Sequence, residues 1–170
     1  KVEAFISKWN DILKNELRGK DDNVQFVVSE IKQDSTKVFD ENSKLTAIAT
    51  LMMIPNGIMS MSHAIENLVE SSVNLGVLTT TDSSVSFECA PRSSVGSLKE
   101  DIRNQYKALA YLVGAELVTD SDYPEWQYNP DSKLRTHFEK VYKDMYNKDS
   151  KVVAIHAGVE CGLFKEKLPE

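Results

Sequence analysis

At the start of the chain, apolar residues recur at intervals of three and four: Phe5, Trp9, Ile12, Leu13 and Leu17, with lysines and acids between them and Gly19 just beyond. That spacing predicts an amphipathic helix with a glycine stop. The period then changes to two, as Val24, Phe26 and Val28 alternate with Gln25, Val27 and Ser29, which predicts a strand with one buried face. A polar stretch from Gln33 to Ser43 reads as a loop. A second helix follows with Leu45, Ile48, Leu51 and Met52, capped by Asn42 or Ser43 and ended by Pro55-Asn56-Gly57. Met52, Met53, Met59 and Met61 invite a cofactor or partner-groove reading, but methionine is adaptable filler and core packing is the simpler expectation.

The middle of the chain carries the clearest unit. Val69, Ser71, Val73, Leu75, Val77 and Thr79 fall on one face of a strand, and Val85, Phe87, Cys89 and Pro91 on one face of the next. Thr81-Asp82-Ser83-Ser84 supplies the turn. A three-residue loop at Asp82 to Ser84 would pair Thr81 with Val85 and set Asn74 opposite Arg92, both on the face away from the apolar one. A covering helix is expected at once, capped by Ser94 or by Ser97 with Glu100. Leu98, Ile102, Leu109 and Val113 form its stripe, and Gly114 ends it. Ala115 to Thr119 reads as a further strand. The fold class is therefore α+β, an antiparallel sheet with helices packed on one face in the ferredoxin-like manner.

From Asp120 the character changes. Tyr123-Pro124-Glu125-Trp126-Gln127-Tyr128-Asn129-Pro130 reads as an ordered crossing segment, which places a domain boundary between residues 1–120 and 121–170. Asp131 or Ser132 caps a helix with Leu134, Phe138, Val141 and Met145. Val152 to Ile155 then reads as a strand apolar on both faces, which needs neighbouring strands and helices that the remaining residues cannot supply. The second unit is expected to be an incomplete α/β helix-strand-loop element.

Composition narrows the partners. The chain has 170 residues, 41% apolar and 27% charged, with a net charge of −6. The acidic balance argues against nucleic acid, which needs clustered Lys and Arg. Neither a membrane span nor a signal pattern is present, and the two cysteines, Cys89 and Cys161, form no disulfide or zinc framework. A cytoplasmic location is the expectation.

Candidate chemistry concentrates in His156-Ala157-Gly158-Val159-Glu160-Cys161-Gly162, directly after the apolar run. Open α/β sheets place ligand contacts where a buried strand breaks into such a loop. His156, Glu160 and Cys161 form only a weak metal-ligand pattern. Gly158 and Gly162 suit close backbone approach to a substrate. Asn74 and Arg92, facing outward together, suit a ligand-contacting pair. His63 and His137 carry no motif.

The order of motifs resembles a known family. Leu13-Lys14-Asn15-Glu16-Leu17, Pro55-Asn56-Gly57, Val69-Glu70-Ser71-Ser72-Val73-Asn74-Leu75-Gly76-Val77, Arg92-Ser93-Ser94, Gly114-Ala115, Tyr123-Pro124-Glu125-Trp126 and Ile155-His156-Ala157-Gly158-Val159-Glu160-Cys161-Gly162-Leu163-Phe164 look like the aminoacyl-histidine dipeptidases, also called Xaa-His or cytosol nonspecific dipeptidases. The resemblance implies a longer parent enzyme, with a zinc-exopeptidase-like catalytic domain interrupted by a lid domain that mediates homodimerisation. It implies metal-assisted hydrolysis of Xaa-His and other dipeptides, with two zinc or other divalent ions activating a water and a glutamate taking its proton. The family's metal-ligand and general-base motifs do not occur in this sequence, so no residue here is expected to be a catalytic base or metal ligand. The chain alone is expected to be inactive. By the resemblance, residues 1–120 are lid and 121–170 are catalytic-domain segment. Arg92, Asn74, His156, Gly158 and Glu160 are then expected to contact substrate, with Arg92 on the dipeptide carboxylate. The alternative is a stand-alone lid-like interaction module without catalysis.

Overall fold

In the computed structural model, residues 1–30, 37–157 and 160–168 are described. Their elements run α1 (Val2–Glu16), α2 (Glu41–Met53), β1 (Gly57–Met61), β2 (Val69–Thr80), β3 (Val85–Ser93), α3 (Gly96–Val113), α4 (Lys133–Tyr146) and α5 (Cys161–Lys167). Contacts divide the chain into two compact units, residues 1–39 and 40–170.

In the first unit, α1 forms as its spacing dictates, and Gly19 adopts a left-handed conformation with φ 74°. The strand expected at Val24–Val28 does not form. No described strand lies beside it, and the Asn10 side chain takes both backbone groups of Phe26 instead: the Phe26 N–H donates to Asn10 Oδ1 at 2.6 Å, and Asn10 Nδ2 donates to the Phe26 carbonyl at 3.1 Å.

The second unit is built on an antiparallel sheet in the order β1-β2-β3. Its first strand, β1, was not foreseen, because Ile58 to Met61 is too short and too rich in methionine to show a period. The helix before it is capped by Asp40, whose carboxylate accepts from the Ser43 N–H at 2.9 Å, two residues before the expected Asn42 and three before Ser43. Glu41 to Ser43 are thus helical, while residues 33–36 of the expected loop lie outside the described residues.

The hairpin differs from expectation by two one-residue steps, which add to a two-residue shift in register and so restore the face. Thr81 closes a four-residue turn by accepting the Ser83 and Ser84 N–H groups on its hydroxyl, so Thr80 pairs with Val85 in place of Thr81. A second register shift falls at Gly76, between Leu75 and Val77. One slip would turn every side chain over, but two restore the original face. Arg92 therefore lies opposite Ser72, and Asn74 opposite Ala90, with Arg92 and Asn74 still sharing a face. Beyond the shift, Val77 pairs with Glu88 and Thr79 with Ser86, which moves both onto the Arg92 face and away from Val73 and Leu75.

The opposite face meets α3. Val73 is 3% exposed and Ile102 of α3 is 2% exposed, with Leu109 also buried. The buried Ser71 hydroxyl is satisfied by Ser60 at 2.5 Å across β1 and β2. Tyr106 of α3 donates to the Pro55 carbonyl at 3.1 Å; burial, then its hydrogen bond with Cys89, pushes its hydroxyl pKa up. This helix begins after Val95 without a side-chain cap, so neither Ser94 nor Ser97 serves, and it ends at Gly114 in the left-handed region, φ 67°.

The methionine expectation fails. Met52, Met53, Met59 and Met61 are all exposed among the described residues, Met52 at 82%. Ala115–Thr119 and Val152–Ile155 are not strands either, since neither run meets a described neighbour that could complete a ladder. The helix α4 forms where expected, with Ser132 accepting the Arg135 N–H at 3.2 Å, but its apolar stripe is exposed and no residue in it is buried.

Candidate functional site

A row of side chains crosses the sheet on the face away from α3. In register it reads Ile58, Ser72, Arg92, with Asn74 one step along β2. Arg92 is exposed and makes no hydrogen bond or ion pair among the described residues. Asn74 is likewise exposed; its amide nitrogen lies 3.2 Å from where a side chain on Gly76 would begin, so the side chain sits over the register shift.

His156 joins this row from a segment far away in sequence. Its Nε2 and the Ser72 Oγ share a hydrogen bond of 2.7 Å, and both residues are half-buried. The sheet face therefore presents an unpartnered guanidinium, an amide, a hydroxyl and an imidazole together. Three hydrogen-bonding side chains beside a guanidinium with no partner among the described residues suit an anionic ligand with several oxygens.

The sequence-predicted residues separate in place. Arg92, Asn74 and His156 are brought to one face. Glu160 is exposed and immediately precedes α5, and Gly158 lies outside the described residues. Gly162, expected to admit a substrate, is buried inside α5, where a Cβ would stand 2.8 Å from the Pro124 carbonyl oxygen. Its missing side chain serves packing against the chain itself. Ser72 and Ile58 were missed by sequence reasoning. Ser72 shares the strand parity of Asn74, which is the signal that marks it; Ile58 gave none.

The segment holding Pro124 is fixed from the other side by α3. Lys99 Nζ donates to Asp122 Oδ1 at 2.9 Å and to the Tyr123 carbonyl at 2.8 Å, and reaches Glu125 Oε2 at 3.2 Å. Arg103 bonds Asp122 Oδ2 at 2.9 Å while also holding Glu100. For Lys99, burial pulls the ammonium down, but the Asp122 and Glu125 carboxylates outweigh it and its pKa stands above the usual value. The Lys99 hydrogen bond holds Asp122 below the usual carboxylate range, and a backbone hydrogen bond followed by Lys99 does the same for Glu125. Gly96, at the start of α3, gives the Glu125 side chain its space: a Cβ there would come within 2.9 Å of the Glu125 carboxyl carbon.

Among the described residues, no group of three or more His, Cys, Asp or Glu side chains could hold a metal ion. His156, Glu160 and Cys161 are not assembled into one, and the Nε2 of His156 is engaged by Ser72. No described helix is long and apolar enough to cross a membrane.

No family model matches the chain. It is 33% identical over 169 residues to the cytosol non-specific dipeptidase of Escherichia coli (strain K12), which covers 99% of this chain and 35% of that protein. Its fold matches the crystal structure of aminoacylhistidine dipeptidase from Vibrio alginolyticus with a TM-score of 0.86 and 33% identity, over 97% of this chain and 34% of the other. The chain thus spans about a third of the length of these relatives. In sequence and in fold alike, it is a homologue of that third of the cytosol non-specific and aminoacylhistidine dipeptidases.

Proposed function

We propose that this chain supplies the lid and one wall of the substrate site of a metal-dependent dipeptidase, in which Arg92 binds the free carboxylate of the dipeptide. One observation carries the reading: an exposed, unpartnered guanidinium stands on the same sheet face as Asn74 and directly opposite the Ser72 that holds His156. A dipeptidase must recognise the terminal carboxylate, and the planar fork of arginine matches its two oxygens. Asn74 and His156 supply donors beside it, and Gly158 and Glu160 are assigned to the loop edge of the same site.

Residues 1–120 are assigned to the lid, which also pairs with a second copy in a homodimer, and 121–170 to the catalytic domain. The zinc or other divalent ions of such an enzyme do not fit the donor set of the described residues, so the wall residues are given no step through a metal. They bind and orient substrate, and the chain alone is inactive. A cytoplasmic location follows the name of the Escherichia coli relative.

The test is kinetic, in the dipeptidase that contains this chain. Arg92→Ala lowers kcat/KM for dipeptides by about 10- to 1,000-fold, the range for losing a charge-assisted pair. It leaves hydrolysis of the matching dipeptide amides, which lack the carboxylate, nearly unchanged. Equal losses on acid and amide, or no loss on either, would remove Arg92 from carboxylate recognition.

A further inference from the structure

We infer that Ser72 is a positioning residue for His156, and that the contact between Gly162 and Pro124 sets the height at which the His156 loop meets the sheet. The inference rests on the substrate-site reading only for its consequence in catalysis; the tie itself is a matter of geometry.

Three observations define it. The Ser72–His156 hydrogen bond, 2.7 Å long, joins residues 84 apart in sequence, and it is the described side-chain bond between the sheet and the loop. A hydroxyl both donates and accepts, so Ser72 can engage Nε2 in either tautomer of the ring. The loop's other end is fixed separately. α5 starts at Cys161, and its second residue, Gly162, is packed against the Pro124 carbonyl so closely that no side chain fits without movement. Pro124 is in turn held to α3 through the Lys99 bonds to Asp122, Tyr123 and Glu125, and α3 lies on the back of the same sheet. His156 and Gly162 are therefore each tied to one layer: His156 directly through Ser72 on the front, and Gly162 through the Tyr123–Glu125 strap and α3 behind. A hydrogen bond of this kind holds an imidazole in one orientation, which is how a ring is kept ready to meet a ligand bound beside Arg92.

The chain contains three histidines, and His63 and His137 are exposed, which gives an internal reference. The experiment records the imidazole ring-nitrogen resonances of the chain by NMR. In the unsubstituted chain His156 stands apart from the other two; Ser72→Ala brings it onto them, and Ser72→Thr, which keeps the hydroxyl, holds it apart. Gly162→Ala, remote from the sheet, produces the same collapse by pushing α5 off Pro124, and this arm still reads the tie if Ser72→Ala fails to fold. A His156 signal unmoved by Ser72→Ala overturns the assignment of Ser72, and one unmoved by Gly162→Ala overturns the role of the Pro124 contact. In the parent enzyme Ser72→Ala lowers kcat/KM about tenfold, with Ser72→Thr restoring most of it. If the resonances move and the kinetics do not, the tether stands and the substrate-contact reading of His156 falls.

Discussion

Two segments expected to be strands take opposite courses in this chain, and the more apolar of them is the one left exposed. Val69 to Leu75 lies between two partner strands, and Val73 within it is 3% exposed; Val152 to Ile155 has no strand beside it among the described residues, and Val153 and Ile155 are 66% and 70% exposed. The difference lies in the neighbours, because a strand's backbone groups need a ladder and its side chains need a covering layer before the apolar pattern has any effect. The sheet with α3 is therefore held by burial, and the stretch from residue 115 onward by local signals and tethers. The sharpest test of that contrast is a pair of truncations. Ile102→Ala empties a site that is 2% exposed and should cost about 2–5 kcal/mol. Ile155→Ala should cost less than about 0.5 kcal/mol, as exposed substitutions do. Urea unfolding of the two variants gives the comparison, and equal losses would mean that the 152–155 run is packed as firmly as the sheet.

The helices repeat the contrast. α3 has no side-chain cap but buries Ile102 and Leu109; α4 buries nothing yet has a Ser132 cap and a left-handed Asn147 at its end, φ 49°. Arg135 strengthens the entry to α4, donating to the Asn129 and Pro130 carbonyls and lying 5.0 Å from the centre of the Tyr128 ring. A helix without a buried face depends on such end effects. Ser132→Ala should then cost α4 about 1 kcal/mol, seen as faster amide exchange confined to that helix. Ser97→Ala in α3 should change little, since Ser97 caps nothing. A larger loss from Ser97→Ala than from Ser132→Ala would reverse the assignment of what holds each helix.

What was legible in the sequence follows the same division. The helix spacings, the hairpin, the Gly114 stop and the Ser132 cap depend on residues near one another, and each stands where its local pattern puts it. The pairing register does not, because Thr81 chose a four-residue turn and Gly76 absorbed an extra residue, two local choices with equal claims to alternatives in the sequence. That both slips occurred left Arg92 and Asn74 on one face, so the outward pair was legible even though its register was not. The strands expected at residues 24–28 and 115–119 do not form for one reason: period and composition describe a strand's faces and are silent about its partners, whereas at 152–155 the run's need for neighbours was legible and none is present among the described residues. Strand parity placed Ser72 on the face of Asn74, but its role was not legible because that comes from His156, 84 positions later.

The smallest expected effect concerns the strap between the two regions. Asp122 and Glu125 are depressed from their usual values of 3.8 and 4.5, so the stability they add is present above those values and is lost as pH falls through their lower, folded values. Lys99 is raised from 10.5, so its share is fully present below that pH and is lost only as pH rises through its folded value. The strap is thus fully charged from about pH 5 to 10 and loosens first on the acid side, below about pH 4. The two carboxylates are about half exposed, so solvent screening keeps the loss small. The sheet and α3 are held by Val73, Ile102 and Leu109, which do not titrate, and should outlast it. On acid titration, amide exchange or the fluorescence of Trp126, next to Glu125, should report release of residues 122–126 before the β2–β3 hairpin opens. Lys99→Met removes the shared cation and should leave the strap loose at neutral pH, with the hairpin intact. A single acid midpoint for strap and hairpin, unaltered by Lys99→Met, would show that the two regions are one cooperative unit and that the tethers add nothing to what burial already holds.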